Sequence, residues 1–340
     1  MMSRKVTSMD VAAQAGVSQS AVSRVFTPGA SVSPGMAAKV RAAAAELGYR
    51  PNALARGLIT GRSKIIGLVV AYLENQFYPD VLEKLSNALQ DKGYHILIFM
   101  ARGRGPEADR VMQELIDYQV DGLIAASVGL SDELIRACQS EGIPVVLFNR
   151  GHEDGRCSKI TSANIAGGAR IARFLVAGGH QRIAHISGWD GSSTGRDRKA
   201  GFLAGLDQAG LAPLAIADGL YERETAAQIV RDWWGEASRP DAIFVGNDHM
   251  AVAALDVLRF ELGVDVPGDV SIVGYDDVPL AAWPAYDLTT LRQPVNQMVT
   301  ATVDLLLSRI EEPELDPKHI EIDGPLIVRA SARKPEDWDE

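Results

Sequence analysis

The chain has 340 residues, 46% of them apolar and 23% charged, with a formal net charge of -10. That length predicts two or three domains rather than one core, and the apolar content excludes a largely disordered chain. No apolar run reaches the roughly 18 residues of a membrane span, and the opening MMSRKVTSMDVAAQAG carries no secretory h-region or cleavage site. Cys138 and Cys157 are too few for a disulfide scaffold or a cysteine zinc site. The expectation is a soluble, reduced, cytoplasmic protein.

The acidic total conceals an uneven distribution. Residues 1–64 hold nine basic side chains against Asp10 and Glu46, a net of +7; the other 276 residues hold 25 basic against 42 acidic, a net of -17. A basic module on an acidic body is a cue for nucleic-acid binding. In this segment Thr7-Ser8-Met9-Asp10 reads as a helix start, with Thr7 as N-cap and Asp10 at the reciprocal position. Val11, Ala12 and Ala15 recur on one face, and Gly16 stops the helix. Ser18 starts a second helix in which Val22 and Val25 face inward while Gln19, Ser20, Ser23 and Arg24 face out. Ser33-Pro34 caps a third, lined by Val40, Ala44 and Leu47 and ended by Gly48.

Two short helices joined by a glycine turn, with a third closing the core, match a helix-turn-helix module. The second helix of such a module enters the major groove, so Gln19 and Ser20 are candidates for base edges and Arg24 for a guanine. The hydroxyls of Thr7, Ser18 and Ser23 suit phosphates. Next comes Tyr49-Arg50-Pro51-Asn52-Ala53-Leu54-Ala55-Arg56-Gly57-Leu58. Asn52 can cap a helix over 53–58, but six residues are far below the roughly 12 needed for independent stability. Small residues such as Ala55 let two copies pack closely, and Leu58 is a candidate wedge for a minor-groove base step.

The run VTSMDVAAQAGVSQSAVSRVF, then VSP, then AAAAELGYRPNALARGL resembles the LacI/GalR family of bacterial transcriptional repressors. The resemblance implies that Gln19, Ser20 and Arg24 read bases, that Asn52, Ala55 and Leu58 of the hinge contact DNA, and that Leu58 is its intercalating leucine. Gly57, where family members often carry serine, lowers helix propensity by about 0.5 kcal/mol.

From Lys64 onward, apolar strands alternate with helices. Segments 65–71, 95–100, 122–127 and 144–149 read as buried parallel strands, with helices at 81–90 and 107–117 between them. Segments 182–188, 242–247 and 270–276 form a second set, which gives two doubly wound α/β lobes in series. Gly103-Arg104-Gly105-Pro106 is no dinucleotide fingerprint. Ligands of such sheets bind beyond the carboxyl ends of the strands, where Asn75, Phe77, Tyr78, Asn149, Arg150, Arg196, Arg198, Asn247, Asp248, Asp276 and Asp277 fall. Aromatic faces among amide, carboxylate and guanidinium groups suit a small polyhydroxylated ligand.

The body also resembles the effector core of the same family, itself similar to periplasmic sugar-binding proteins, with landmarks at 245–251, 198–202, 270–277 and 289–294. By this likeness Arg198, Asn247 and Asp276 contact the effector, and Phe77, Tyr78, Arg150 and Tyr221 form its walls. Asp248 and Asp277 read as helix N-caps before ligand contacts. Many relatives carry aspartate-asparagine where this chain has Ala163-Asn164. Losing that carboxylate, with Arg150 and Arg198 nearby, admits a sugar acid or sugar phosphate beside a neutral sugar.

The domains expected are a helix-turn-helix at 1–50, a hinge and linker at 51–63, and a core at 64–340. Within the core the expected N-lobe is 64–162 with 292–324 and the C-lobe 163–291 with 325–340. Dimerisation is expected through 81–89, 111–115 and the 280s, without the leucine heptads of a tetramerisation coil. No cofactor or metal is expected: His180 and His185 lack a metal spacing, and adjacent Asp276 and Asp277 do not form a facing glycosidase pair. No nucleophile elbow or P-loop is present. The implied function is an operator-binding homodimer, not an enzyme, controlled by a small molecule. An effector that releases DNA and a corepressor that holds it both fit the sequence, as does an activator of the same fold.

Overall fold

A computed structural model of the chain describes residues 6–27, 29–50, 62–101, 106–127, 130–151, 155–336 and 338. The hinge residues Asn52, Ala55 and Leu58, and the loop 103–105, lie outside the described residues. Two compact units divide at Lys64 and Ile65.

The first unit is a three-helix cluster, and its sequence explains each boundary. Helix α1 (Ser8–Ala15) starts at Thr7, whose side chain and Asp10 form a reciprocal capping box, and ends at Gly16 in the left-handed conformation. Helix α2 (Gln19–Val25) is capped by the Ser18 hydroxyl. Helix α3 (Pro34–Leu47) is capped by Ser33, has its proline in the first turn, and ends at left-handed Gly48. Val11, Ala12, Val22, Val25, Val40, Ala43 and Ala44 form the core, with Phe26, Leu47 and Tyr49 packed around it.

The second unit holds two six-stranded sheets. Strands β1 (Ile65–Val70), β2 (His95–Met100), β3 (Gly122–Ala126), β4 (Val145–Phe148), β5 (Ser158–Ser162) and β11 (His319–Ile322) form the first, in the order β11-β5-β4-β3-β1-β2 and all parallel. The second is β12-β10-β9-β8-β6-β7, built from β6 (Ile183–Ser187), β7 (Ala215–Asp218), β8 (Ala242–Val245), β9 (Ser271–Asp276), β10 (Thr289–Arg292) and β12 (Leu326–Ile327). Only β12 runs antiparallel to its neighbour.

Along β1, Ile66, Leu68 and Val70 enter one apolar cluster and Val69 another. Helices cover both sheet faces, which is why the strands read as continuous apolar runs rather than alternating ones. Helix α4 (Phe77–Asp91) starts four residues earlier than its periodicity indicated, because the Asn75 side chain accepts from the Phe77 N–H at 3.1 Å. The chain passes between the sheets at Ala163, at Gln293-Pro294 and at 323–325. Among the described residues no helix is long and apolar enough to cross a membrane.

Candidate nucleic-acid interface and ligand cleft

On α2 the inward positions Ala21, Val22 and Val25 are buried, so Gln19, Ser20 and Arg24 are left exposed on the opposite side and Ser23 half-buried. Gln19 Nε2 donates to Ser8 Oγ at 3.1 Å, and the Ser18 and Ser20 hydroxyls lie 2.9 Å apart. These are weak, exposed bonds that a stronger partner can displace. Thr7 differs. Its hydroxyl accepts from the Asp10 N–H at 3.4 Å and donates to the Asp10 carboxylate at 2.7 Å, so a phosphate there must displace an acid.

In the second unit a cleft of about 980 Å³ opens beyond the strand ends, lined by Tyr72, Ser127, Arg150, Trp189, Tyr221 and His249 among others. Of the seven predicted effector residues, Arg150 and Tyr221 line it. Phe77 and Asp276 border a second cavity, of about 460 Å³. Tyr78, Arg198 and Asn247 are buried and line neither. Trp189, Tyr72 and Ser127 were not singled out from the sequence. Gly188 offers one signal: a Cβ there would overlap the Tyr221 ring, so only glycine lets that ring lie against the backbone.

Arg198 and Asp276 are the centre of a buried network. Arg198 is 3% exposed; its Nε donates to Asn164 Oδ1 at 2.9 Å, its Nη1 to the Gly246 carbonyl at 2.6 Å, and its Nη2 lies 3.5 Å from Asp276. Burial works against the Arg198 charge, but Asp276 and the surrounding tyrosines outweigh it and hold the guanidinium above its ordinary range. The Asp276 carboxylate also accepts from Gln293 Nε2 at 2.8 Å and from Asn75 Nδ2 at 3.4 Å, which ties it to the first lobe. Burial raises the Asp276 carboxyl, while Arg198, Gln293 and Asn75 pull the other way.

Three expectations at this site are corrected. Asn247, not Asp248, caps the helix Asp248–Asp256, its Oδ1 accepting from the Met250 N–H at 3.0 Å. Asp248 is fully buried and accepts from the Thr290 hydroxyl at 2.6 Å and the Val278 N–H at 3.0 Å. Burial first, and the nearby Asp276 charge second, push its carboxyl well above the usual range. Asp277 is no cap either: Arg292 and Arg329 hold it at 2.6 and 2.7 Å. Ala163 stands at the cap position of the helix Asn164–Ala177 with no side-chain capping bond and does not line the cleft. The missing carboxylate therefore costs a helix cap.

Three residues that line the cleft, Ser127, Leu220 and Tyr221, hold positive φ of 59°, 55° and 62°. Each costs of order 1–3 kcal/mol, a cost typical of ligand sites. Tyr221 is held in place by hydroxyl contacts to Thr194 at 3.0 Å and Ser192 at 3.3 Å. Across the cleft the Gly151 N–H of the first lobe donates to Ser193 Oγ of the second at 2.9 Å. Of the segments expected at a dimer interface, Val81, Leu85 and Leu89 are buried inside their own lobe, while Trp283 is 56% exposed.

The model of bacterial regulatory proteins of the lacI family matches residues 7–52, and that of a periplasmic binding protein-like domain matches 172–332. The chain is 32% identical over 334 residues to the ribose operon repressor of Escherichia coli K12, covering 96% of this chain and 99% of that protein. It is 30% identical over 330 residues to the HTH-type transcriptional repressor PurR of Photobacterium profundum, covering 96% and 98%. Among solved structures, a lac repressor dimer bound to operator and the anti-inducer ONPF is 28% identical with a TM-score of 0.87, covering 96% and 99%. A transcriptional regulator CelR–cellobiose complex is 31% identical with a TM-score of 0.73, covering 96% and 100%.

Proposed function

Because the chain belongs to the LacI family of bacterial regulatory proteins, we infer that it is a cytoplasmic, operator-binding transcriptional repressor whose DNA affinity is set by a small molecule held between the two lobes. One observation carries this: the exposed Gln19, Ser20 and Arg24 of a three-helix head share a chain with a two-lobed cleft. In this reading α2 enters the major groove, and Leu58 wedges the central base step when two hinge segments meet over the operator. Two heads require a homodimer with two-fold symmetry. The exposed Phe260 (75%) and Trp283 (56%) supply apolar surface for that contact.

Ligand binding draws Tyr72, Ser127 and Arg150 of one lobe toward Trp189, Tyr221 and His249 of the other. The three crossings between the sheets let the lobes rotate, and the rotation changes the spacing of the linkers that enter β1 in the two protomers. A preference of about 1–3 kcal/mol for one lobe arrangement gives a typical strength of coupling. The test is anisotropy of labelled duplexes from the upstream region of the chain's own gene, with Arg24→Ala as control. Tight, steeply salt-dependent binding that Arg24→Ala removes supports the reading; binding with a flat salt response contradicts it.

A further inference from the structure

The two arginines predicted at the ligand differ in how their charge is balanced. Arg198 is buried and its partner Asp276 lies 3.5 Å away, so it needs nothing from outside the protein. Arg150 borders the cleft. Its Nη1 donates to the Ser127 carbonyl at 3.0 Å, its Nε–H is buried with no acceptor, and among the described residues it forms no ion pair. Among the described residues its other close partner is the Tyr221 ring, whose centre is 5.5 Å from Cζ. A ring face compensates a positive charge only weakly.

Most other charged groups around the cleft are already engaged within the protein, while Glu74 is exposed and acts on His249. Arg223 pairs with Asp256 at 3.3 Å, Glu224 with Arg231 at 3.2 Å, and Glu222 accepts from the Thr225 hydroxyl at 2.8 Å. Arg150 is thus a planar donor fork held on one side by a carbonyl and an aromatic ring, with no ion-pair partner among the described residues.

We propose that the effector carries a carboxylate or phosphate that seats on Arg150, which makes it a sugar acid or sugar phosphate rather than a neutral sugar. This rests on the reading of the cleft as the effector site and narrows it. A guanidinium fork matches either anion with two parallel hydrogen bonds. A neutral sugar hydroxyl can accept from this arginine but supplies no counter-charge, so its bond is weaker than one to a carboxylate or phosphate. The hydroxyls of Ser131 and Ser193 and the faces of Tyr72 and Trp189, which line the same cleft, are placed for the sugar's hydroxyls and its C–H face. The volume of about 980 Å³ is at the upper end of the roughly 300–1,000 Å³ typical of small-molecule sites, ample for a hexose phosphate with ordered water.

The test is calorimetry on the full-length protein with matched sets: D-glucose, D-gluconate, D-glucuronate and glucose 6-phosphate, and the corresponding galactose, fructose and ribose compounds. Binding confined to charged members is expected, with the carboxylate and phosphate arms separating the two sources. Arg150→Gln should weaken the charged ligand by about 10- to 100-fold, the loss of one charged hydrogen-bonding group, and Arg150→Lys by less. A neutral sugar bound as tightly as its charged counterpart, no binding by any member, or an Arg150→Gln variant with undiminished affinity overturns the proposal. The cleft reading fails differently: a charged ligand whose affinity is unchanged by Trp189→Ala binds somewhere else.

Discussion

In the head, Gln19, Ser20 and Arg24 are exposed on a helix whose opposite side makes the core. In the body, Arg198, Asn247 and Asp276 are 3%, 2% and 4% exposed and bonded to each other's neighbours, to a helix end and across the lobes. The head keeps Gln19, Ser20 and Arg24 out of its core and its helix caps, which fall to Thr7, Ser18 and Ser33. The body builds its polar groups into the fold, and leaves Arg150 as the exception. Function and stability are therefore separable in the head and entangled in the body.

The sharpest way to break that contrast is to remove one partner of the buried pair. Arg198→Ala or Asp276→Ala leaves an uncompensated buried charge and should cost the body about 3–5 kcal/mol, whereas Arg24→Ala should stay within about 0.5 kcal/mol. All five tryptophans lie beyond residue 188, so their fluorescence during urea unfolding reports the body alone. Equal losses for the two classes of variant would erase the distinction.

Acid should separate the two units next. Burial pulls the pKa of His185 down to about 4, against a donated bond from its Nδ1 to the Phe244 carbonyl at 2.9 Å. Its folded value lies below the unfolded 6.5, so the unfolded chain takes the proton first. Stability is fully present above about pH 6.5 and is lost as pH falls toward 4, by up to about 3 kcal/mol. The head contains no histidine. Unfolding midpoints across this range should fall for the tryptophan signal, less steeply in a His185→Gln variant; an equal slope in that variant counts against the assignment.

Smaller effects probe the helix ends. Ser33→Ala removes the cap of α3, whose hydroxyl accepts from the Met36 N–H at 3.4 Å, and should cost the head about 1 kcal/mol without moving the tryptophan transition. Ala163→Asp supplies the missing cap and should stabilise the body by about 0.5 kcal/mol. A loss in that variant would mean that the carboxylate is unwelcome beside the buried network.

The head was legible because its signals are local: a cap, a stop and three or four apolar positions within each helix. The central strands β1, β3, β4, β8 and β9 were equally plain, since both their faces are buried. The short strands beside the crossings between the sheets were not. β10 reads Thr-Thr-Leu-Arg and β11 His-Ile-Glu-Ile, too short and polar to stand out, and β11 joins the first sheet only after the chain has crossed back from the second.

The cleft was legible in part. Strand ends located Arg150 and, at the second cavity, Asp276, but the assignment of caps failed at 247–248, where two adjacent residues could each fill the role. Nothing local distinguished Arg198, which has an ion-pair partner, from Arg150, which has none among the described residues. Their partners, Asp276 and the Ser127 carbonyl, are distant in sequence and meet only through the sheet topology.

The central claim is a two-headed, sequence-specific DNA-binding protein, and in vitro selection of random duplexes by the full-length protein tests it most directly. Enrichment of a pseudopalindrome with two related half-sites, lost with Arg24→Ala, is expected. Enrichment of no sequence, or of one asymmetric site bound by a single copy, would contradict it.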